Sequence, residues 1–184
     1  TFSTGEEIGN QRFFRKDEKA LAKAQRRLSR SEKGTDDWAK RKKVVARIYE
    51  RIRNRRRNFA HQESRKIVNK YQFIAVEELS INRMVKNRHL AKSINDAAWS
   101  QFTRFISYKA ESAGREFVAV NPAYTSQDCS GCGFRQVMPL SDRVYKCPNC
   151  KLEIGRDLNA ALNILARGLA SIGKQSVEAV KLCA

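Results

Sequence analysis

Apolar positions recur at helical spacing through most of the first seventy residues. Leu21, Ala24 and Leu28 share one face, with Lys23, Arg26, Arg27 and Arg30 around the rest, which predicts a helix from about Asp17 to Arg30 with Gly34 as its stop. Trp38, Val45, Ile48, Ile52 and Phe59 then repeat at sums of three and four residues. Thr35 supplies an N-cap for this second helix, and Asp36 and Asp37 sit in its first turn, where the helix dipole favours acids. The pattern runs to about Tyr71, roughly 50 Å at 1.5 Å per residue. Residues 15–71 therefore read as an antiparallel helical hairpin with one buried stripe and one cationic face. Ahead of it, residues 1–14 predict two short strands joined at Thr4-Gly5 and ending at Phe13-Phe14.

The period changes at Phe73-Ile74-Ala75-Val76, a continuous apolar run of strand length that ends abruptly in Glu77-Glu78. Such a run suits a strand buried on both faces, as in a parallel sheet under helices. A loop with Arg83, Lys86, Arg88 and His89 follows, then a helix from about Ser93 to Ala113 with Trp99, Phe102, Ile106 and Ala110 inward. Glu116 to Val120 reads as another strand, closed by Asn121-Pro122. Residues 123–154 are cysteine-rich, and from Asp157 Leu158, Leu162, Leu165 and Leu169 mark a last helix before a weak helix or tail. Helices alternating with buried strands predict an α/β domain. Trp38 and Trp99 read as helix core, and His61 and His89 as ordinary polar residues.

Charge sharpens this picture. The chain has 184 residues and a formal net charge of +18. Residues 11–70 hold 22 Lys and Arg against 7 Asp and Glu, so over four-fifths of the excess lies in one third of the sequence. Such density attracts polyanions by counterion release, which makes nucleic acid the leading partner. A solvated helix face is the plainer reading. Anionic membrane fits less well, because the basic helices lack a continuous apolar face for insertion. No run of 18 apolar residues and no apolar signal core occur, so neither a membrane span nor a secretory signal is expected. Residue 1 is Thr, which suggests a processed or truncated chain.

Two motifs carry candidate chemistry. Cys129-Ser130-Gly131-Cys132 and Cys147-Pro148-Asn149-Cys150 are CxxC knuckles separated by 14 residues. That spacing fits tetrahedral Zn²⁺ with four thiolates and no open position, a structural rather than a catalytic metal. Two disulfides or a redox pair are the competing readings, and a chain without a signal peptide argues against disulfides. Too few apolar residues lie in 123–154 for an independent core, so the metal should supply much of the module's folding energy. Cys183 reads as an incidental thiol.

The second motif is a pair of acids. Glu77 ends a buried strand, and Asp157 opens a helix directly after the cysteine module. In open α/β sheets, chemistry gathers beyond the carboxyl ends of strands. If the two converge, they form a hard-oxygen site for Mg²⁺ or Mn²⁺. Taken singly, the plainer reading is favoured for each: a strand-end surface acid for Glu77, an ordinary helix N-terminal acid for Asp157.

FIAVEELS, TSQDCSGCGF, CPNC and GRDLNAALNIL together resemble the C-terminal half of TnpB (OrfB-type) proteins of insertion sequences. Those are RuvC-like, RNA-guided DNA nucleases related to type V CRISPR effectors. The likeness runs from about residue 10 to 169. It implies an RNase H-like (RuvC) mixed sheet lacking its first strand, with the basic hairpin inserted at about 15–71 and a zinc ribbon inserted at 123–154. Residues 1–122 would be the first part of that domain, and 155–184 its last helix and tail. The resemblance implies Glu77 and Asp157 as catalytic, magnesium-binding acids of the second and third RuvC motifs. It implies Cys129, Cys132, Cys147 and Cys150 as zinc ligands. The family often writes the third motif Asp-Arg-Asp-x-Asn-Ala-Ala; here Gly155 takes the first position, which leaves Asp157 for the role. The family's first motif, with its Asp, should lie upstream of TFSTGEEI, so weak or no cleavage is expected from these 184 residues alone. Arg51, Arg53, Arg55, Arg56 and Arg57 are expected to contact phosphates of DNA or guide RNA, with zinc structural and magnesium or manganese catalytic. The expected setting is a prokaryotic cytoplasm, at the nucleoid. A non-catalytic zinc-dependent nucleic-acid-binding module and a transposition regulator are the alternatives.

Overall fold

The structure, a computed structural model, describes residues 1–80, 84, 86, 98–139 and 141–173. Arg83, Arg88, His89, the expected start of the third helix at Ser93 and the tail with Cys183 lie outside the described residues. The elements are α1 (Phe13–Ser29), α2 (Asp36–Lys70), β1 (Phe73–Glu77), α3 (Trp99–Ser112), β2 (Glu116–Val120), β3 (Val144–Lys146), β4 (Glu153–Gly155) and α4 (Arg156–Ser171). The architecture is mixed α/β. The chain divides into two compact units, one of residues 1–9, 66–80 and 106–184, the other of residues 10–65 and 81–105.

In the sheet unit, β1 and β2 pair in parallel, from Phe73 opposite Glu116 to Glu77 opposite Val120. The parallel direction agrees with the expectation for the apolar run, and the connection a parallel neighbour requires contains α3. Helix α4 packs on one face of the pair. Leu169 and Phe73 form its centre, with Ala75, Val118, Leu165 and Ile172 against them. Gly168 lets the helix come this close: a Cβ there would stand 2.7 Å from the Ala75 Cβ. A second, smaller sheet pairs β3 and β4 antiparallel within the cysteine module.

The other unit holds most of the hairpin. Leu21, Ala24, Ile52 and Ala60 are buried, and Phe13 meets Phe59 edge-on at 5.9 Å. Thr35 caps α2 as expected, its Oγ1 accepting the Trp38 N–H at 3.2 Å.

Two expectations are corrected. Residues 1–14 form no strand. Phe2 and Gly5 close a turn, and Phe13 and Phe14 start α1 instead of ending a hairpin. Two strands alone are marginal, whereas the segment gains a partner in the end of α2, through Phe2 against Tyr71 and Glu6 against Lys70. Trp99 is 49% exposed rather than core, because the buried stripe of α3 is Phe105, Ile106 and Ala110. Beside its leucine stripe, α4 also buries Asn159 completely.

Candidate functional site

Both knuckles are turns, and β3–β4 lies beneath them with Tyr145 fully buried against Cys129 and Cys147. The four sulfurs lie within 4.8 Å of one another, and they are free thiols. The closest pairs, Cys129–Cys150 and Cys132–Cys147, are each 3.6 Å apart. A disulfide is about 2.05 Å long, whereas sulfurs about 2.3 Å from a central ion in a tetrahedron stand about 3.8 Å apart. The spacing therefore fits one metal ion and rejects two disulfides. Asn149 donates to the Cys132 sulfur at 3.5 Å, and that bond, helped by the Phe134 backbone, brings the Cys132 thiol down to about 6. Burial, and then the neighbouring sulfurs, push the Tyr145 phenol up to about 12, so it stays a donor. It sits 3.0 Å from the carbonyls of Gln127 and Phe134, on either side of the first knuckle.

The module is anchored to α4 by two asparagines one turn apart. Asn159 donates to the Asp128 carbonyl at 2.7 Å and accepts the Ser130 N–H at 2.9 Å. Asn163 donates to the carbonyls of Thr125 at 2.9 Å and Asp128 at 2.7 Å. Arg167, one more turn along, reaches the carbonyls of Asn121 and Ala123 and the Asp128 carboxylate. Asp128 also takes a forked contact from Arg135 at 2.5 and 3.2 Å. The Arg135 hydrogen bond, followed by the charges of Arg135 and Arg167, outweighs desolvation and holds the Asp128 carboxyl below its usual range. Asp128, Asn159 and Asn163 lie inside TSQDCSGCGF and GRDLNAALNIL, but neither motif shows that they bind one another. The available signal was Asn159 and Asn163 four apart in a helix interior, where asparagine is unfavourable without partners.

Glu77 stands at the carboxyl end of β1, half-buried, and Thr125 donates to its Oε1 at 2.9 Å. Asp157 is in the first turn of α4 with its side chain 63% exposed and Arg156 Nε 3.7 Å away. Leu169 of α4 packs at Phe73, Gly168 stands against Ala75, and Asn163 connects to Glu77 through Thr125. Asp157, Ala161, Ile164 and Gly168 form one stripe at i, i+4, i+7 and i+11. Of this stripe Gly168 meets β1, and Asp157 lies about 9 Å of helix axis from Asn163 at the start of the helix. Among the described residues, only the four cysteines gather as three or more metal-ligating groups.

The arginine run divides by partner. Arg51 and Arg55 both bind Asp17, at 2.7 and 3.2 Å, and Asp17 is buried between the helices. Arg53 lies 3.8 Å from Glu50 with both side chains largely exposed. Arg57 is exposed. All five occupy one stretch of α2, so part of the run serves the hairpin and part faces solvent.

Two family models match. Residues 1–88 fit the model described as "Probable transposase", of the OrfB IS605 type, and residues 99–164 fit "Cas12f1-like, TNB domain". A Streptomyces pristinaespiralis protein named "Putative RNA-guided DNA endonuclease" is 41% identical over 173 residues, 93% of this chain and 43% of that protein. A TnpB-like protein of Methanocaldococcus jannaschii is 33% identical over 130 residues, 70% of this chain and 30% of that one. The fold matches the chain solved by cryo-EM in a Cas12f1–sgRNA–target DNA complex, with a TM-score of 0.62 at 20% identity, over 86% of this chain and 43% of that chain. The chain spans less than half the length of these relatives. No described helix is long and apolar enough to cross a membrane.

Proposed function

Because the chain belongs to the TnpB (OrfB-type) family, we propose that it carries the C-terminal nuclease portion of an RNA-guided, metal-dependent DNA endonuclease. In this reading β1, β2 and α4 are part of an RNase H-like (RuvC) sheet whose first strand is not among these residues. Glu77 and Asp157 are two of its metal-binding acids. The observation that supports the reading is the packing of α4 on β1, Leu169 against Phe73 and Gly168 against Ala75, with Glu77 closing the strand and Asp157 in the first turn of the helix.

The donor chemistry fits. Thr125 occupies Oε1 of Glu77 and leaves the second oxygen for a cation, and Asp157 is open to solvent. Both are hard oxygen donors of the kind magnesium and manganese prefer. An ion held there would supply Lewis-acid polarisation of a phosphodiester. Zinc, held by Cys129, Cys132, Cys147 and Cys150, has the structural role, since four thiolates leave no open position. Through Asn159 and Asn163 the folded ribbon also fixes the loop bearing Thr125, and so the Glu77 carboxylate. The cationic face of the hairpin, with Arg53, Arg56 and Arg57 and its share of Arg51 and Arg55, serves phosphate contacts to DNA and guide RNA. Those contacts are salt-dependent and sequence-independent.

The first acid of the family's triad is not among these residues, so weak cleavage is expected from this chain alone and metal binding is the direct test. Mn²⁺ titration of the zinc-loaded chain, followed by electron paramagnetic resonance, should give a site weakened about tenfold or more by Glu77→Gln and by Asp157→Asn. Mn²⁺ affinity indifferent to both substitutions would leave only the non-catalytic binding module.

A further inference from the structure

Tyr124 is held in the left-handed backbone region, at φ 64°. A bulky L-residue is rarely found there, and such conformations persist where the surroundings enforce them, commonly at functional positions. Burial does not explain it, because Tyr124 remains 52% exposed. The loop is built around it nonetheless. Its carbonyl accepts the N–H groups of Gln127 and Asp128, both at 2.9 Å.

The ring has a fixed companion. The Arg135 guanidinium lies 4.0 Å from its centroid. Arg135 is locked in turn by its two contacts to Asp128, whose side chain is only 16% exposed and is also held by Arg167. The guanidinium thus lies over the aromatic ring, held by its carboxylate partner, on a half-exposed surface. Thr125, the next residue, is buried and donates to Glu77.

We propose that Tyr124 and Arg135 form a stacking platform for one unpaired base of a DNA strand, seating that strand beside Glu77. An aromatic face flanked by guanidinium suits a nucleobase, which offers a π-face whatever its identity. The platform is preorganised on the protein side, so a base would order little that is not already ordered. Its position beside a cleavage centre rests on the function proposed above; the stacking does not.

The probe is a short single-stranded DNA with a 2-aminopurine, whose fluorescence is quenched by stacking, added to the zinc-loaded whole chain at low salt. Tyr124→Gly is the decisive variant, because glycine adopts this φ freely. It should fold at least as well as wild type by thermal melting. Binding should weaken about tenfold, the scale of one lost base stack, and quenching should disappear. Tyr124→Trp should keep both. Affinity for blunt duplex should be the same in all three proteins. Undiminished single-strand binding by Tyr124→Gly, absence of quenching in wild type, or an equal loss on duplex would each overturn the platform. Glu77→Gln should leave quenching intact. Quenching by a chain that binds no Mn²⁺ would therefore uphold the platform while removing the cleavage reading.

Discussion

Substituting Gly168 by alanine tests the contact that aligns α4 with β1. The new methyl would lie 2.7 Å from the Ala75 Cβ, 3.1 Å from Phe73 Cζ and 3.4 Å from Phe73 Cε1. Ordinary carbon contacts are about 3.5–4.0 Å, so the helix must retreat by about 1 Å or Phe73 must turn. Ala75 cannot yield by rotating a side chain, because its Cβ is fixed to the strand backbone. Overpacking of this kind costs about 1–3 kcal/mol, while alanine regains about 0.8–1.0 kcal/mol over glycine in a helix interior. The net expectation is about 1 kcal/mol of destabilisation, which lowers the melting temperature of a chain this size by about 2–4 °C.

Ala75→Gly removes the atom that is struck. In a double-mutant cycle read by urea unfolding and circular dichroism, the two changes should couple by about 1–3 kcal/mol in the rescuing direction. Mn²⁺ affinity should follow, since Asp157 and Asn163 ride on the displaced helix. A Gly168→Ala protein more stable than wild type, or a cycle additive to within about 0.5 kcal/mol, would refute the close-packing argument.

Three further outcomes are expected. Cys150→Ser, or a strong chelator, should strip the metal and abolish amide-exchange protection across 128–154 while the helicity of α1–α2 persists; retained protection would mean that the ribbon folds without metal. Asp17→Asn should cost about 1–2 kcal/mol in urea unfolding, because Arg51 and Arg55 lose a charged acceptor. It should also steepen the salt dependence of DNA binding as those arginines are released, and an unchanged slope would assign them to the hairpin alone. The Asp128 carboxyl is lowered in the folded chain, first by its Arg135 hydrogen bond. Its contribution is therefore present above the unfolded value and is lost as pH falls through the folded one. The stability gap between wild type and Asp128→Asn should accordingly shrink as pH drops below about 4. A gap constant from neutral to about pH 3 would show that ionisation of Asp128 does not matter.

What the order of residues determined unaided was local. Two CxxC knuckles announce a four-thiolate site because each pair sets its own turn, and the Thr35 cap and the 35-residue α2 follow from periodicity and the helix dipole. FIAVE and EFVAV read as strands because continuous apolar runs of that length suit a sheet covered by helices. Tertiary structure decided what depends on meeting across the chain. Asp17 reaches arginines 34 and 38 positions away, and Arg135 closes over Tyr124 while gripping Asp128. Asn159 and Asn163 tie Asp128, at the first knuckle, to helix positions 31 and 35 residues further along the chain. Residues 1–14 carried the alternation of a hairpin, yet took their partner from the end of α2. Periodicity records which face of an element is apolar. It carries no information about which distant polar group will satisfy a buried amide, or where two backbones must approach so closely that only glycine fits.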